Sequence, residues 1–472
     1  MRLDGKLRFA VLLCGVKFTK TIKVMKKFID TIKNIFSIEE LRSKIITTLG
    51  LLLIFRLGSY IVLPGLDPIA LAKEANSGGI LGLINIFSGG AFSRSSIFAL
   101  GIMPYISASI VIQLLTIAIP YFQRMQRDGD SGRKRMNQIT RVLTILVAVA
   151  QGSAYIASTI PTEAIMIDRA FFSTTAVIIL TTGTMFCMWL GERIEDRGIG
   201  NGISMLIMIG IVSRLPFALI SEATARGGNG MLLFVLELVA LFFVVMGVVL
   251  ITQAVRRIPI QYAKQVVGKG SRNKALASTG QRSFLPLKIT TAGVMPIIFA
   301  QSLMFVPSLV GSKLADSSNI ASYIYNKYSD VYSWQYNVTV CVLIILFTYF
   351  YTAITINPKQ IADEMQRNGG FIPGIAPGEA TAEYIGGVID KITLPGALFL
   401  SALAVMPAFA AMAGITSELA QFYGGTSLLI MVGVILDTLQ RIESYLLMKH
   451  YEGMMKSGEV DATEPETAIV MQ

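Results

Sequence analysis

Uncharged apolar runs of about twenty residues recur along the whole chain, and each is long enough for an α-helix to cross a bilayer. Ile97–Ile119, Val142–Ile160, Phe171–Leu190, Ile289–Val310, Tyr336–Ile356 and Ile392–Gly414 contain no acidic or basic residue. Four further runs are less clean. Ile45–Leu63 holds Arg56, Gly202–Ile220 holds Arg214, Met231–Val255 holds Glu237, and Thr426–Leu447 holds Asp437, Arg441 and Glu443. The pattern predicts ten spans. Of the 472 residues 53% are apolar and 15% charged, against about 25% charge in a typical soluble domain. The mean hydropathy is +0.61. This much apolar surface cannot be hidden in one soluble core. An ordinary soluble enzyme, a disordered chain and a secreted disulfide scaffold are therefore excluded. Cys14, Cys187 and Cys341 are far apart and His450 is the single histidine, so no zinc or disulfide framework can be assembled.

Ten spans put both termini on one side, and the positive-inside rule says which. Of the 41 Lys and Arg, 32 fall in the terminal-side stretches and 6 in the opposite loops. Both termini are thus expected in the cytoplasm and the chain in the cytoplasmic (inner) membrane. The net charge of +11 is mostly this topology signal. Residues 1–24 are unpatterned. Phe9–Val16 is too short to span, and no cleavage site follows it. Met25 is the expected true start. From there Phe28, Ile29, Ile32, Ile35 and Phe36 recur at helical spacing between lysines, which predicts an interfacial amphipathic helix over 25–42. Residues 43–220 and 221–450 form the two halves, and 451–472 a cytoplasmic tail.

Two spans share a motif. The second reads Gly101-Ile102-Met103-Pro104-Tyr105-Ile106, the seventh Gly293-Val294-Met295-Pro296-Ile297-Ile298. Six residues alone can coincide by chance in Gly/Pro-containing helices. Five spans separate the copies, however, so they cross in opposite directions, as in an inverted-topology repeat of spans one to five against six to ten. The working site of such a protein lies between the halves, lined by interrupted helices. Before span two, Gly78-Gly79 and Ser88-Gly89-Gly90 bracket an apolar segment too short to span. It reads either as a re-entrant helix packed on the bundle or as a mobile element on glycine hinges.

Catalytic motifs are missing from the sequence. GxxxxGK[ST], HExxH and GxSxG do not occur, and no span holds paired carboxylates. Intramembrane ionisable residues are candidates by default. Arg56 reads as a snorkelling residue or a structural ion pair, and Glu237 as a wetted residue near the outside. Nothing forms a proton relay, an ion cage or a cofactor site. An inverted-repeat secondary transporter is the rival reading, and it needs a polar midplane site.

Five stretches then carry a close resemblance. They are SGGAFSRSSIFALGIMPYISASIVIQLL at Ser88–Leu115, TGTMFCMWLGERIEDRGIGNGIS at Thr182–Ser204, FLPLKITTAGVMP at Phe284–Pro296, FYTAITINP at Phe350–Pro358 and FYGGTSLLI at Phe422–Ile430. From about Met25 to about Tyr451 the chain resembles the bacterial SecY family, the channel subunit of the Sec protein translocon. The resemblance implies an all-α membrane protein, a clamshell of ten helices around an hourglass pore, conducting unfolded polypeptide without a catalytic centre. It implies a plug over Ile80–Arg94, including Ile80, Leu83, Ile84, Phe87, Gly89, Gly90 and Arg94. It places a waist ring on Ile102, Ile106, Ile207, Ile298 and Ile430. A ring of isoleucines offers water and ions no hydrogen bonds, so it dewets when narrow. Spans two and seven become a lateral gate for signal sequences and membrane helices, held shut by Gln113, Thr290, Thr291 and Gln301. Loops 256–288 and 357–391 become the docking surface for the ribosome and the SecA motor, with Arg256, Arg257, Lys264, Lys269, Arg272 and Lys274 as contacts. SecE, SecG and membrane lipid complete the implied partners. One departure stands out. The family's Gly-Ile-Arg-Pro-Gly motif reads Gly374-Ile375-Ala376-Pro377-Gly378 here.

Overall fold

The computed structural model describes residues 38–67, 88, 90–91, 94–160, 162–227, 230–262, 282–290, 293–301, 303–304 and 332–457. The helices are α1 (Glu39–Gly58), α2 (Met103–Ala118), α3 (Pro120–Arg127), α4 (Gly129–Thr159), α5 (Arg169–Arg197), α6 (Gly202–Arg226), α7 (Met231–Thr252), α8 (Trp334–Thr355), α9 (Pro358–Arg367), α10 (Glu379–Met412), α11 (Ser417–Ala420) and α12 (Gly425–Ser457). Residues 295–301 are also helical. Several starts are fixed by side-chain caps. Asn201 accepts from the Ser204 N–H at 3.0 Å, and Ser333 from the Tyr336 N–H at 3.3 Å. Two of the four runs that hold charge, Gly202–Ile220 and Thr426–Leu447, lie within continuous helices, α6 and α12.

Among the described residues seven helices are long and apolar enough to cross a membrane, or eight if α2 and α3, which meet at 103°, count as one broken span. The protein is a mostly helical, multi-pass membrane protein. The count of ten is not reached within the described residues. The first run lies in α1, which opens on Glu39 and Glu40. The seventh is described only in part. Outward-facing side chains such as Leu232, Phe242 and Leu346 are exposed apolar surface, which suits a hydrocarbon solvent.

The all-α expectation is incomplete. The loop over 256–288 carries an antiparallel pair, β1 (Val255–Tyr262) and β2 (Arg282–Lys288), and β1 also pairs with β3 (Gly370–Phe371) in the order β2-β1-β3. The register sets Ile258 against Leu285 and Gln261 against Phe371. Alternation explains it: Ile258 and Ile260 are buried while Arg257 and Pro259 are exposed. The buried side joins Leu287, Met365, Ile372, Ile385 and Ile389 in a separate apolar cluster. Loops 256–288 and 357–391 are therefore one packed unit.

Candidate functional site

The repeated motif marks where two helices begin. Gly101 has φ +52° and Gly293 φ +60°, the left-handed region that glycine enters at little cost. α2 then starts at Met103 with Pro104 in its first turn, and the second helix starts at residue 295, followed by Pro296. Proline is tolerated there because a first-turn N–H has no intrahelical acceptor. The sequence expectation of interrupted helices is corrected by this geometry. Gly and Pro initiate the helices, and residues 97–102 form turns instead of the first turns of a span.

Those turns sit inside the bundle. Phe98 stacks between Phe55 and Phe186, with ring centroids 5.9 and 5.8 Å away. A Cβ on Gly183 of α5 would lie 2.3 Å from the Ile97 carbonyl oxygen, so only glycine permits this approach. Ile102, Ile207 and Ile430 are buried in one apolar cluster, and Ile106 and Ile298 pack against it. The five isoleucines come from four elements: the start of α2, α6, the helix at 295–301 and α12. Both halves of the chain contribute. The isoleucine side chains themselves offer no donor or acceptor.

Two of the four polar side chains assigned to the motif helices have described bonds. Gln113 donates to Ser109 on its own helix at 3.5 Å. Gln301 accepts from Thr426 of α12 at 3.0 Å. Thr290 lies in the turn before the second helix, where its carbonyl accepts from the Gly293 N–H at 2.9 Å, and Thr291 lies outside the described residues. The described bonds of Gln113 and Gln301 thus run along one helix and to α12, because a hydroxyl one turn back or on α12 is within reach.

A family model described as SecY matches residues 96–439. This chain belongs to the SecY family. The protein translocase subunit SecY of Streptomyces scabiei is 41% identical over 437 residues, covering 89% of this chain and 98% of that protein. The solved structure of a protein conducting channel superposes with a TM-score of 0.58 at 17% identity, covering 85% of this chain and 92% of that one. Sec61 in the canine ribosome-channel complex from the endoplasmic reticulum gives 0.54 at 16% identity over the same shares. At these identities the structures establish a shared fold.

Within this SecY-family fold, Gly90 and Arg94 are the described members of the predicted plug; Ile80, Leu83, Ile84, Phe87 and Gly89 lie outside the described residues. Arg94 stacks over the Tyr60 ring at 4.4 Å, as Arg56 does at 5.4 Å. An Arg214 nitrogen lies 3.0 Å from where a Gly90 Cβ would be. Arg56 therefore has an aromatic partner. Arg256 and Arg257 are exposed on β1, while Lys264, Lys269, Arg272 and Lys274 fall outside the described residues. Ala376 is exposed in the turn before α10, and its carbonyl accepts from the Thr381 hydroxyl at 2.8 Å. The wetted reading of Glu237 is wrong. Its side chain is 11% exposed and pairs with Arg226. The Glu222/Arg226 spacing on the end of α6 was the available sequence signal for this pair, and it lay outside every span boundary drawn from hydropathy.

Proposed function

We propose that this chain is the central subunit of a protein-conducting channel. It passes unfolded secretory polypeptides across the membrane and releases membrane helices sideways between α2 and the helix that starts at 295. The observation that carries the reading is that Ile102, Ile207 and Ile430 share one apolar cluster, with Ile106 and Ile298 packed against it, drawn from both halves of a SecY-family chain. Such a cluster seals against ions when closed, and it yields around a passing segment without binding any one side chain. The segment at 80–94 acts as a plug. Both termini face the cytoplasm. Energy comes from partners, a SecA motor or a translating ribosome, which dock on the β1–β2 and 357–391 unit. SecE and SecG complete the complex. The relatives support a channel over a secondary transporter. Reconstitution of the chain with a single-span SecE-like subunit and SecA tests the proposal. ATP-dependent movement of an unfolded, signal-bearing polypeptide into vesicles is expected. Assembled complex that moves a small solute but no polypeptide would overturn it.

A further inference from the structure

Pro407 interrupts α10 near its end. Proline has no N–H, so the Leu403 carbonyl four residues back lacks its helical donor. A Cβ on Gly424 would lie 2.5 Å from that carbonyl oxygen, so the turn before α12 lays bare backbone directly on the break. Beside this contact is a cavity of about 30 Å³. It lies among Tyr336 and Asn337 of α8, Pro407 and Ala408 of α10, and Gln421 and Gly424 of the turn. The start of α8, the last turns of α10 and the start of α12 meet there, so the cavity sits near one end of the bundle.

Other polar groups around it are engaged. Asn337 Nδ2 donates to the Ser333 carbonyl at 2.9 Å, and the Thr426 hydroxyl to Gln301 Oε1 at 3.0 Å. The Gln421 carbonyl accepts from the Ser427 hydroxyl at 2.8 Å, which fixes the turn. Gln421 Oε1 differs: it is shielded from solvent and has no hydrogen-bond partner among the described residues. A buried acceptor left without a donor is costly. Dry cavities are lined by apolar groups, whereas a buried water needs about 10–15 Å³ and at least about two polar partners. This cavity meets both conditions.

We propose that it is a buried hydration site, whose ordered water donates to Gln421 Oε1 and to the Leu403 carbonyl. The water ties the turn before α12 to the proline break of α10. An amide flip at Gln421 leaves the site intact, because water accepts as readily as it donates. The inference stands apart from the channel reading. Radiolytic labelling tests it, on the full chain assembled in lipid nanodiscs. A microsecond X-ray pulse turns bound water into hydroxyl radical in place, and mass spectrometry reads oxidation of the adjoining side chain. Tyr336 and Tyr155 are almost equally buried, at 4% and 3% exposure. Tyr336 lines the cavity, whereas Tyr155 lies elsewhere with its hydroxyl bonded to Ser95. Tyr336 is therefore expected to oxidise several-fold faster than Tyr155. Gln421→Met keeps the side-chain length and removes the acceptor, so it is expected to bring Tyr336 down toward the Tyr155 rate. Should Gln421→Met fail to assemble, Pro407→Ala returns a donor to the Leu403 carbonyl and is expected to slow Tyr336 as well. Equally slow oxidation of the two tyrosines in the wild type would overturn the inference. So would fast oxidation of Tyr336 that neither variant slows, since that would report packing that opens to bulk water in place of a bound molecule.

Discussion

Five isoleucines illustrate how little a single residue says about its own role. In any one span an isoleucine is ordinary lipid-facing or core surface. Ile102, Ile207 and Ile430 come together only because the start of α2, α6 and α12 bring them into one cluster, with Ile106 and Ile298 against it. Asparagine is close to leucine in size but carries a donor and an acceptor, and a narrow apolar constriction excludes water because it has neither. Replacing Ile106, Ile207 and Ile298 together with asparagine is therefore expected to raise resting ion conductance in planar bilayers by about tenfold or more, each tenfold corresponding to about 1.4 kcal/mol less barrier. A conductance equal to wild type would move the seal away from these residues. The alignment of isoleucines was legible in the sequence through the family resemblance. Their contact was not, because it joins residues more than three hundred positions apart.

At the scale of elements, the β1–β2 pair joins the two ends of a basic loop in an antiparallel ladder. Ile258 and Ile260 anchor it from below, and Arg256 and Arg257 stand exposed on the strand. Most of the terminal-side positive charge lies in other stretches, so reversing these two arginines leaves the topology signal in place. Arg256→Glu with Arg257→Glu is expected to weaken ribosome or SecA binding about tenfold at low salt, with a smaller loss at high salt because screening shortens the reach of the charges. Equal affinity at both salts would assign the pair to topology alone. Ala376 lies on the same unit, exposed between Gly374 at φ +86° and Gly378 at φ +99°. Its packing role is confined to a carbonyl that arginine also has. Ala376→Arg is expected to keep the fold and strengthen coupling to a SecA from a system whose channel carries the arginine, read as faster translocation. Equal rates for both chains with cognate and heterologous motors would show the substitution to be neutral.

For the molecule as a whole, the charge asymmetry predicts one orientation. With 32 of 41 basic residues on the terminal side, a cysteine placed at Met448 is expected to react with a membrane-impermeant maleimide only from the cytoplasmic side, and one at Thr224 only from the outside. Native cysteines are replaced first. The reverse labelling pattern would reject the orientation and with it the assignment of docking loops.

Hydropathy was enough to place the membrane-spanning class, because it depends on local chemistry, a run of apolar side chains; the glycine–proline repeat was visible too, but not that it starts two helices. The alternation in VRRIPIQY was present too, but eight residues in a basic loop give a weak strand signal, and β1 exists because β2, β3 and the α10 face cover it. Tertiary structure alone decided that Glu237 is half-buried and paired. Its partners are Arg226, eleven residues away, and through that arginine Glu222 and the 414–416 turn. A charge near the end of an apolar run looks solvated when its helix is considered alone. Whether it meets water or a guanidinium depends on which distant turn folds over it, and no local pattern in the chain encodes that.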